Sequence, residues 1–232
     1  MTGTEAPAER RLETPRAAGV AGLVFTALFV LSILLVRSHP AGGSSAEEIQ
    51  DFYLHRNAGR LALVGLNLVP FAGIAFLWFI AVIRSLIGER EDRFFATVFL
   101  GSGLLFVAML FVGVGVGGAP LAAVKLQDEP IPSPDAVVLV RSIAYALLFV
   151  YAVRMAAVFM IVASTIGMRL RIFPRWLVLA GYVAALVLLL NVTYVELLIL
   201  VFPGWVAAVS VVILRADRSR ASPSAAAESA GG

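Results

Sequence analysis

Residues 142–168 form a run of 27 in which Arg154 is the one charged side chain and most of the rest are apolar. A stretch of that length crosses a ~30 Å hydrocarbon layer as a helix rising ~1.5 Å per residue. An arginine at the centre of a bilayer costs between ~3 and more than ~10 kcal/mol depending on the reference state, so Arg154 requires a partner. Composition generalises the point: with 60% hydrophobic residues, 14% charged residues and a mean hydropathy of +0.94, the chain carries more apolar surface than one soluble core of this length can hide. The expected class is an all-α, polytopic membrane protein.

Charge and turn signals mark off six apolar segments, about 17–36, 61–83, 94–117, 137–166, 176–194 and 197–214. The last two form one nearly unbroken stretch that as a single helix would be about 58 Å long, twice the hydrocarbon thickness, so it must fold back. The polar cluster Asn191, Thr193, Tyr194 and Glu196 is the place for the turn. Pro203 then reads as a kink within the sixth helix. The expected domain is a six-helix bundle over 17–214, flanked by disordered tails at 1–16 and 215–232 that are rich in Ala, Ser, Pro, Glu and Gly. The first apolar stretch is ~20 residues long, beyond the 7–15 of a signal-peptide core, and is expected to be retained as a helix.

Basic residues set the orientation. Arg10, Arg11, Arg16, Arg84, Arg90, Arg93, Arg169, Arg171, Arg175, Arg215, Arg218 and Arg220 flank one side, against Arg37, Arg56, Arg60 and Lys125 on the other. Twelve against four predicts both termini in the cytoplasm, in the plasma membrane of a bacterium. The same dispersal along segment flanks argues against nucleic acid as a partner, in spite of a pI near 9.7.

The first outer loop, about 37–60, holds a doubled capping signal, Ser44 and Ser45 each followed three residues later by Glu47 and Glu48. A short amphipathic helix at the outer interface is expected there. On it Glu47, Asp51 and His55 fall at i, i+4 and i+8, one carboxylate–carboxylate–imidazole edge. As a metal site it lacks a completing ligand cluster, so a solvated helix face is the expected reading. The second outer loop, 127–135, is acidic and proline-spaced, as in a stiff connector.

Chemistry-bearing motifs are otherwise sparse. The absence of cysteine removes disulfides, thiolate catalysis, iron–sulfur ligation and covalent c-type haem attachment. Both histidines, His39 and His55, lie outside the apolar segments, which leaves no bis-histidine haem site in the bilayer. The glycines at 113, 115, 117 and 118 lack the Lys-Ser/Thr of a phosphate loop and read as close helix packing, as do Gly101 with Gly103 and Gly19 with Gly22. No cofactor is expected. Arg141, at the outer boundary, is expected to pair with Glu196, while Thr26, Ser102, Tyr151 and Trp205 fall near the depth of Arg154 and Asn67 lies further out. Arg154 then has two readings. It bonds backbone carbonyls freed by local breaks near Pro70 and Pro203, or, with Tyr151, Asn67 and Trp205, it faces an anionic ligand between helices.

The stretch 151–190, YAVRMAAVFMIVASTIGMRLRIFPRWLVLAGYVAALVLLL, with 47–84 before it and 200–214 after it, resembles a family of bacterial six-helix integral membrane proteins of actinobacterial type, a domain of unknown function. Its markers are Arg154-Met155, Pro174-Arg175-Trp176 and Phe202-Pro203. The resemblance implies the six-helix fold and no activity. The functional expectation is a non-enzymatic subunit, scaffold or regulator in a membrane assembly, partnered by the lipid bilayer and by another membrane protein or a second copy of itself. The alternative is a small transporter or permease for an anionic or amphipathic molecule, with Arg154 in its pocket.

Overall fold

The computed structural model describes residues 10–36, 47, 56–87, 93–191 and 196–229. These residues are all helical or connecting, with no strand among them. Helix α1 covers Arg10–Val36, α2 Arg56–Ile87 and α3 Arg93–Leu126. A continuous rod follows, built of α4 (Pro134–Tyr145), a π-helical segment (Ala146–Ala152) and α5 (Val153–Arg169). Helix α6 spans Arg175–Leu190, and a 3-10 turn (Glu196–Leu200) leads into α7 (Val201–Ser229). Five of these rods are long and apolar enough to cross a membrane, the signature of a multi-pass membrane protein.

Helix α6 departs from the expected segment 176–194. It stops at Leu190, where Asn191 turns extended with its N–H on the Val187 carbonyl (3.0 Å), so its 16 residues rise only about 24 Å. Pro203 is not a mid-helix kink either. It is the third residue of α7, in the first turn, where backbone N–H groups have no intrahelical acceptor and proline costs nothing. The third helix likewise runs on to Leu126, through the glycines at 113–118 that were expected to end it, and carries Pro120 inside. The tails expected to be disordered are partly helical, α1 beginning at Arg10 and α7 reaching Ser229. Extending a helix already nucleated by a membrane span is cheap where Ala is frequent. Residues 1–9 and 230–232 lie outside the described residues, as does the expected interfacial helix apart from Glu47, which is helical and exposed.

The most extensive interface is the α1–α2 pair, followed by α1–α7, α5–α6 and α3–α5. Small residues permit these approaches. A Cβ at Gly19 or Gly22 of α1 would overlap Leu214 or Ser210 of α7, and one at Gly103 of α3 would meet Ile80 and Phe159. Gly113, Gly117 and Gly118 also face neighbouring side chains, whereas Gly101 and Gly115 face open space. At the α1–α2 contact the Ser32 hydroxyl donates to the Gly65 carbonyl (2.7 Å), satisfying a buried polar group across helices.

At the middle of the bundle, five helices each send one phenylalanine to a common point. Phe76 of α2 lies 4.9 Å from Phe25 (α1), 5.3 Å from Phe106 (α3), 5.2 Å from Phe159 (α5) and 5.4 Å from Phe202 (α7), ring centre to ring centre. Phe106 and Phe202 close the ring at 4.7 Å, and Phe99 stacks on Phe159 at 4.6 Å. All of these rings are buried. Tilted and edge-on geometries at 4.5–7 Å are the favourable ones for aromatic quadrupoles. Arg84, Arg16 and Arg169 lie eight, nine and ten residues from the hub on their helices, about 12–15 Å, so the hub sits half a hydrocarbon thickness above the arginine-rich end.

That end is tied together by polar contacts. Arg16 Nε meets Asp217 Oδ2 at 2.6 Å, joining the start of α1 to α7, and the Arg169 guanidinium lies 4.3 Å above the Phe95 ring. The α5–α6 corner is a Schellman turn in which the N–H of Ile172 bonds the Gly167 carbonyl and that of Arg171 bonds Met168. Arg171 takes the left-handed position (φ 54°) usually held by glycine, and the Phe173 ring fills the space over Gly167.

Candidate functional site

Arg154 is half-buried in the first turn of α5, directly after the π-helical segment. In that segment the backbone closes five residues back, the Val153 N–H bonding the Leu148 carbonyl. Such widened turns shift the carbonyl register and recur at functional sites. The Arg154 Nη1 donates to the Val150 carbonyl at 2.9 Å, one turn towards the end of the bundle opposite the arginine-rich one. The expected acceptor was a carbonyl freed near Pro70 or Pro203; it lies instead on the residue's own helix, in a stretch with neither proline nor glycine to announce it.

The expected companions of Arg154 are dispersed. Tyr151 is exposed, three residues further along the same helix. Asn67 is exposed on α2 and its amide donates to its own Leu63 carbonyl (2.8 Å). Thr26 donates to Gly22 (2.9 Å) and Pro203 (3.1 Å) carbonyls, and Ser102 to Val98 (2.7 Å). Trp205 is buried against Gly181 of α6, together with Ser164 of α5. Of the expected ion pair, Arg141 is half-buried on α4, and the side chain of Glu196 lies outside the described residues. Of the metal edge Glu47, Asp51 and His55, the last two also lie outside them; among the described residues no group of three His, Cys, Asp or Glu is placed to hold a metal.

Depth places Arg154 more sharply than contacts do. Ser164 faces Gly181, so these two residues are level; Arg154 is ten residues from the first and Leu190 nine from the second, about 15 and 13.5 Å towards the same end. Helix α6 therefore ends at the depth of Arg154. A cavity of about 20 Å³ confirms the register, for Ala152, Val153 and Ala156 line it together with Leu188, Leu198 and Ile199 from the two limbs of the α6–α7 hairpin. Its lining is wholly apolar and does not include Arg154.

Comparison with family models, curated proteins and solved structures finds no match to this chain. The site is thus described by its own chemistry.

A second polar cluster emerges where α5, α6 and α7 meet. Thr165 Oγ1 and the Tyr182 hydroxyl are 2.8 Å apart. One residue along, the Ser164 hydroxyl and the Trp205 Nε1–H converge on Gly181 with no hydrogen-bond partner among the described residues. The spacing of Ser164, Gly181 and Trp205 in the sequence carries no signal of this, because three helices bring them together. An unpartnered buried hydroxyl is a cost that alanine removes with little change of shape. Ser164→Ala is expected to leave unfolding stability in micelles unchanged or raised by up to about 1 kcal/mol; a loss of comparable size would show that the hydroxyl has a partner.

Proposed function

We propose that this chain is a six-crossing bacterial plasma-membrane protein, both termini cytoplasmic, that serves as a non-enzymatic subunit, scaffold or regulator of a membrane assembly. The observation that carries this reading is the phenylalanine hub. Five rings from five helices fill the bundle axis at mid-depth, where a permeation path or a substrate pocket would need room. Near that depth Thr26 and Ser102 bond carbonyls of their own or a neighbouring helix and Trp205 packs over Gly181, so the inner chemistry serves packing. What the bundle offers to other molecules is its periphery, where Phe71, Trp78, Leu139, Leu179 and Leu190 are strongly exposed.

The orientation follows from the charge rule: among the described residues Arg16, Arg84, Arg93, Arg169, Arg175 and Arg215 stand at one end of their helices, against Arg56, Arg60, Lys125 and Arg141 towards the other. The fifth and sixth crossings are α6 and α7, whose Arg175 and Arg215 ends share the arginine-rich side.

Extraction of the full chain in native lipid particles, followed by mass measurement of the intact particles, tests the reading. A stoichiometric second protein or a defined homo-oligomer is expected; a monomer free of other protein would overturn it. Because the chain has no cysteine, single substitutions check the orientation in the same material. Ser133→Cys is expected to react with an impermeant maleimide on intact cells and Ser85→Cys only after lysis.

A further inference from the structure

The corner between α5 and α6 carries positive charge that its own surroundings do not balance. Arg169, Arg171 and Arg175 stand on it within one short turn of chain, all three exposed, and the sequence has no aspartate or glutamate from 136 to 195. Among the residues whose side chains are described, Asp217 is the one acid at this end of the bundle, and Arg16 holds it. The Arg169 guanidinium lies over the Phe95 ring at 4.3 Å. Contact with a ring face uses none of its five N–H donors on an acceptor, so they stay available to a ligand.

Depth and backbone both single out this corner. Arg169 is ten residues from Phe159 of the hub and Phe95 eleven from Phe106, about 15 and 16.5 Å along their helices. On α6, Arg175 is six residues from Gly181, which is level with Ser164, and reaches about the same height. A ~30 Å hydrocarbon layer ends about 15 Å from its centre, with the lipid phosphates just beyond. Ile172 and Trp176 add exposed apolar surface at that boundary, where tryptophan is enriched. The turn itself is fixed, since the Gly167 carbonyl takes the N–H groups of Ile172 (3.0 Å) and Phe173 (3.3 Å). Within it Arg171 is held at φ 54°, a conformation that suits glycine and disfavours a side chain. A disfavoured conformation kept by its surroundings points to a use for the side chain, here an exposed guanidinium.

We propose that the α5–α6 corner binds an anionic phospholipid of the adjoining leaflet, Arg169, Arg171 and Arg175 donating to its phosphate while Ile172 and Trp176 lie against its glycerol and upper acyl chains. The site is the same whichever leaflet this is, and it needs no partner protein. Guanidinium groups offer paired donors that match phosphate oxygens. A headgroup of net negative charge gains from an unbalanced basic corner, whereas a zwitterionic one brings its own cation. Because the turn is closed by its own hydrogen bonds and Arg169 rests on Phe95, little freedom is lost on binding.

The full chain in a neutral detergent is titrated with dioctanoylphosphatidylglycerol and, in parallel, with dioctanoylphosphatidylcholine, and the thermal unfolding midpoint is followed. Phosphatidylglycerol is expected to raise the midpoint at a several-fold lower concentration than phosphatidylcholine. The double variant Arg171→Gln, Arg175→Gln is expected to need at least about tenfold more phosphatidylglycerol for the same rise, the loss of two basic groups at a lipid surface. Arg84→Gln, which removes a charge from the same end of the bundle on α2, is expected to respond like the wild type. Arg171→Gly separates side chain from backbone. Its lipid-free midpoint is expected to equal or exceed that of the wild type, because glycine suits the left-handed position, while its response to phosphatidylglycerol weakens. If the double variant does not fold, Arg171→Gly decides. Equal responses to the two lipids, a loss in Arg84→Gln as large as in the corner variants, or an unchanged response of Arg171→Gly overturns the site. A monomeric particle in the mass measurement above sinks the assembly reading and leaves this result untouched.

Discussion

Phe76→Ala is expected to lower unfolding stability by about 3–5 kcal/mol, the range seen when a large buried aromatic is truncated. The mechanism is loss of contacts, since lipid tails are as apolar as the protein interior and transfer from water contributes little between helices in a bilayer. Phe76 is fully buried and its ring meets those of Phe25, Phe79, Phe106, Phe159 and Phe202 at 4.9–6.0 Å. Removing it opens a void bordered by four other helices, none of which can collapse inward without dragging its own phenylalanine off a favourable geometry. Chemical unfolding in mixed micelles measures the effect. Phe94→Ala, an exposed ring at the arginine-rich end, is the control and should cost well under half as much. A Phe76→Ala protein within about 1 kcal/mol of wild type would show that the hub is not where the bundle is held.

The second large effect is expected from adding bulk where α1 meets α7. A Cβ at Gly22 would overlap the Ser210 hydroxyl and the Phe79 ring, and Ser210 is fully buried with its hydroxyl on the Val206 carbonyl (2.8 Å). Gly22→Leu must therefore push α1 away from both α7 and α2. Overpacking of a filled interior costs about 1–3 kcal/mol, and here the displaced surface includes the α1–α7 seam that Arg16 and Asp217 close at its end. Gly101→Leu is the matched control, because nothing stands within reach of a Cβ there. The expected result is a clear loss of folded protein for Gly22→Leu and near-wild-type yield and stability for Gly101→Leu, read by size-exclusion profile and unfolding midpoint. Equal behaviour of the two would mean that α1 and α7 are not in close contact.

Much of the fold was legible in the sequence because a bilayer leaves few options. Backbone polar groups in hydrocarbon must bond within their own segment, so an apolar run bounded by charge is a helix. The runs at 17–36, 61–83, 94–117 and 137–166 lie inside α1, α2, α3 and the long rod. The ends were harder to read. Gly113–Gly118 and Pro120 look like a terminus and are passed through by α3, since neighbouring helices hold the backbone in place. Pro203 looks like a kink and is a helix start, because the preceding chain leaves the helix at Asn191. Apolar residues at 191–200 cannot say by themselves how many turns a hairpin will give up to its bend.

The candidate site was legible in one residue. Arg154 stands out by charge alone, but its acceptor does not, because the π segment, whose Leu147 and Leu148 stand over Gly113 of α3, leaves no mark on an apolar run. The phenylalanines were visible as residues and not as a hub. Glycine spacing foretold close packing and could not say that Gly101 faces outward while Gly103 faces Ile80 and Phe159. The Arg16–Asp217 contact and the Ser164–Gly181–Trp205 cluster join residues far apart in the chain, and no periodicity encodes such pairs.

The sequence by itself determined the solvent and the secondary structure of this protein: hydropathy decides where a segment can reside, and a segment in hydrocarbon must bond its own backbone as a helix. These are properties of single segments, additive along the chain. The tertiary structure alone decided that five phenylalanines share one point, that α6 ends at the depth of Arg154, and that the arginine reaches a carbonyl of its own widened turn. Each of those depends on the relative height and rotation of neighbouring helices, which are set by packing between surfaces rather than by the composition of either one.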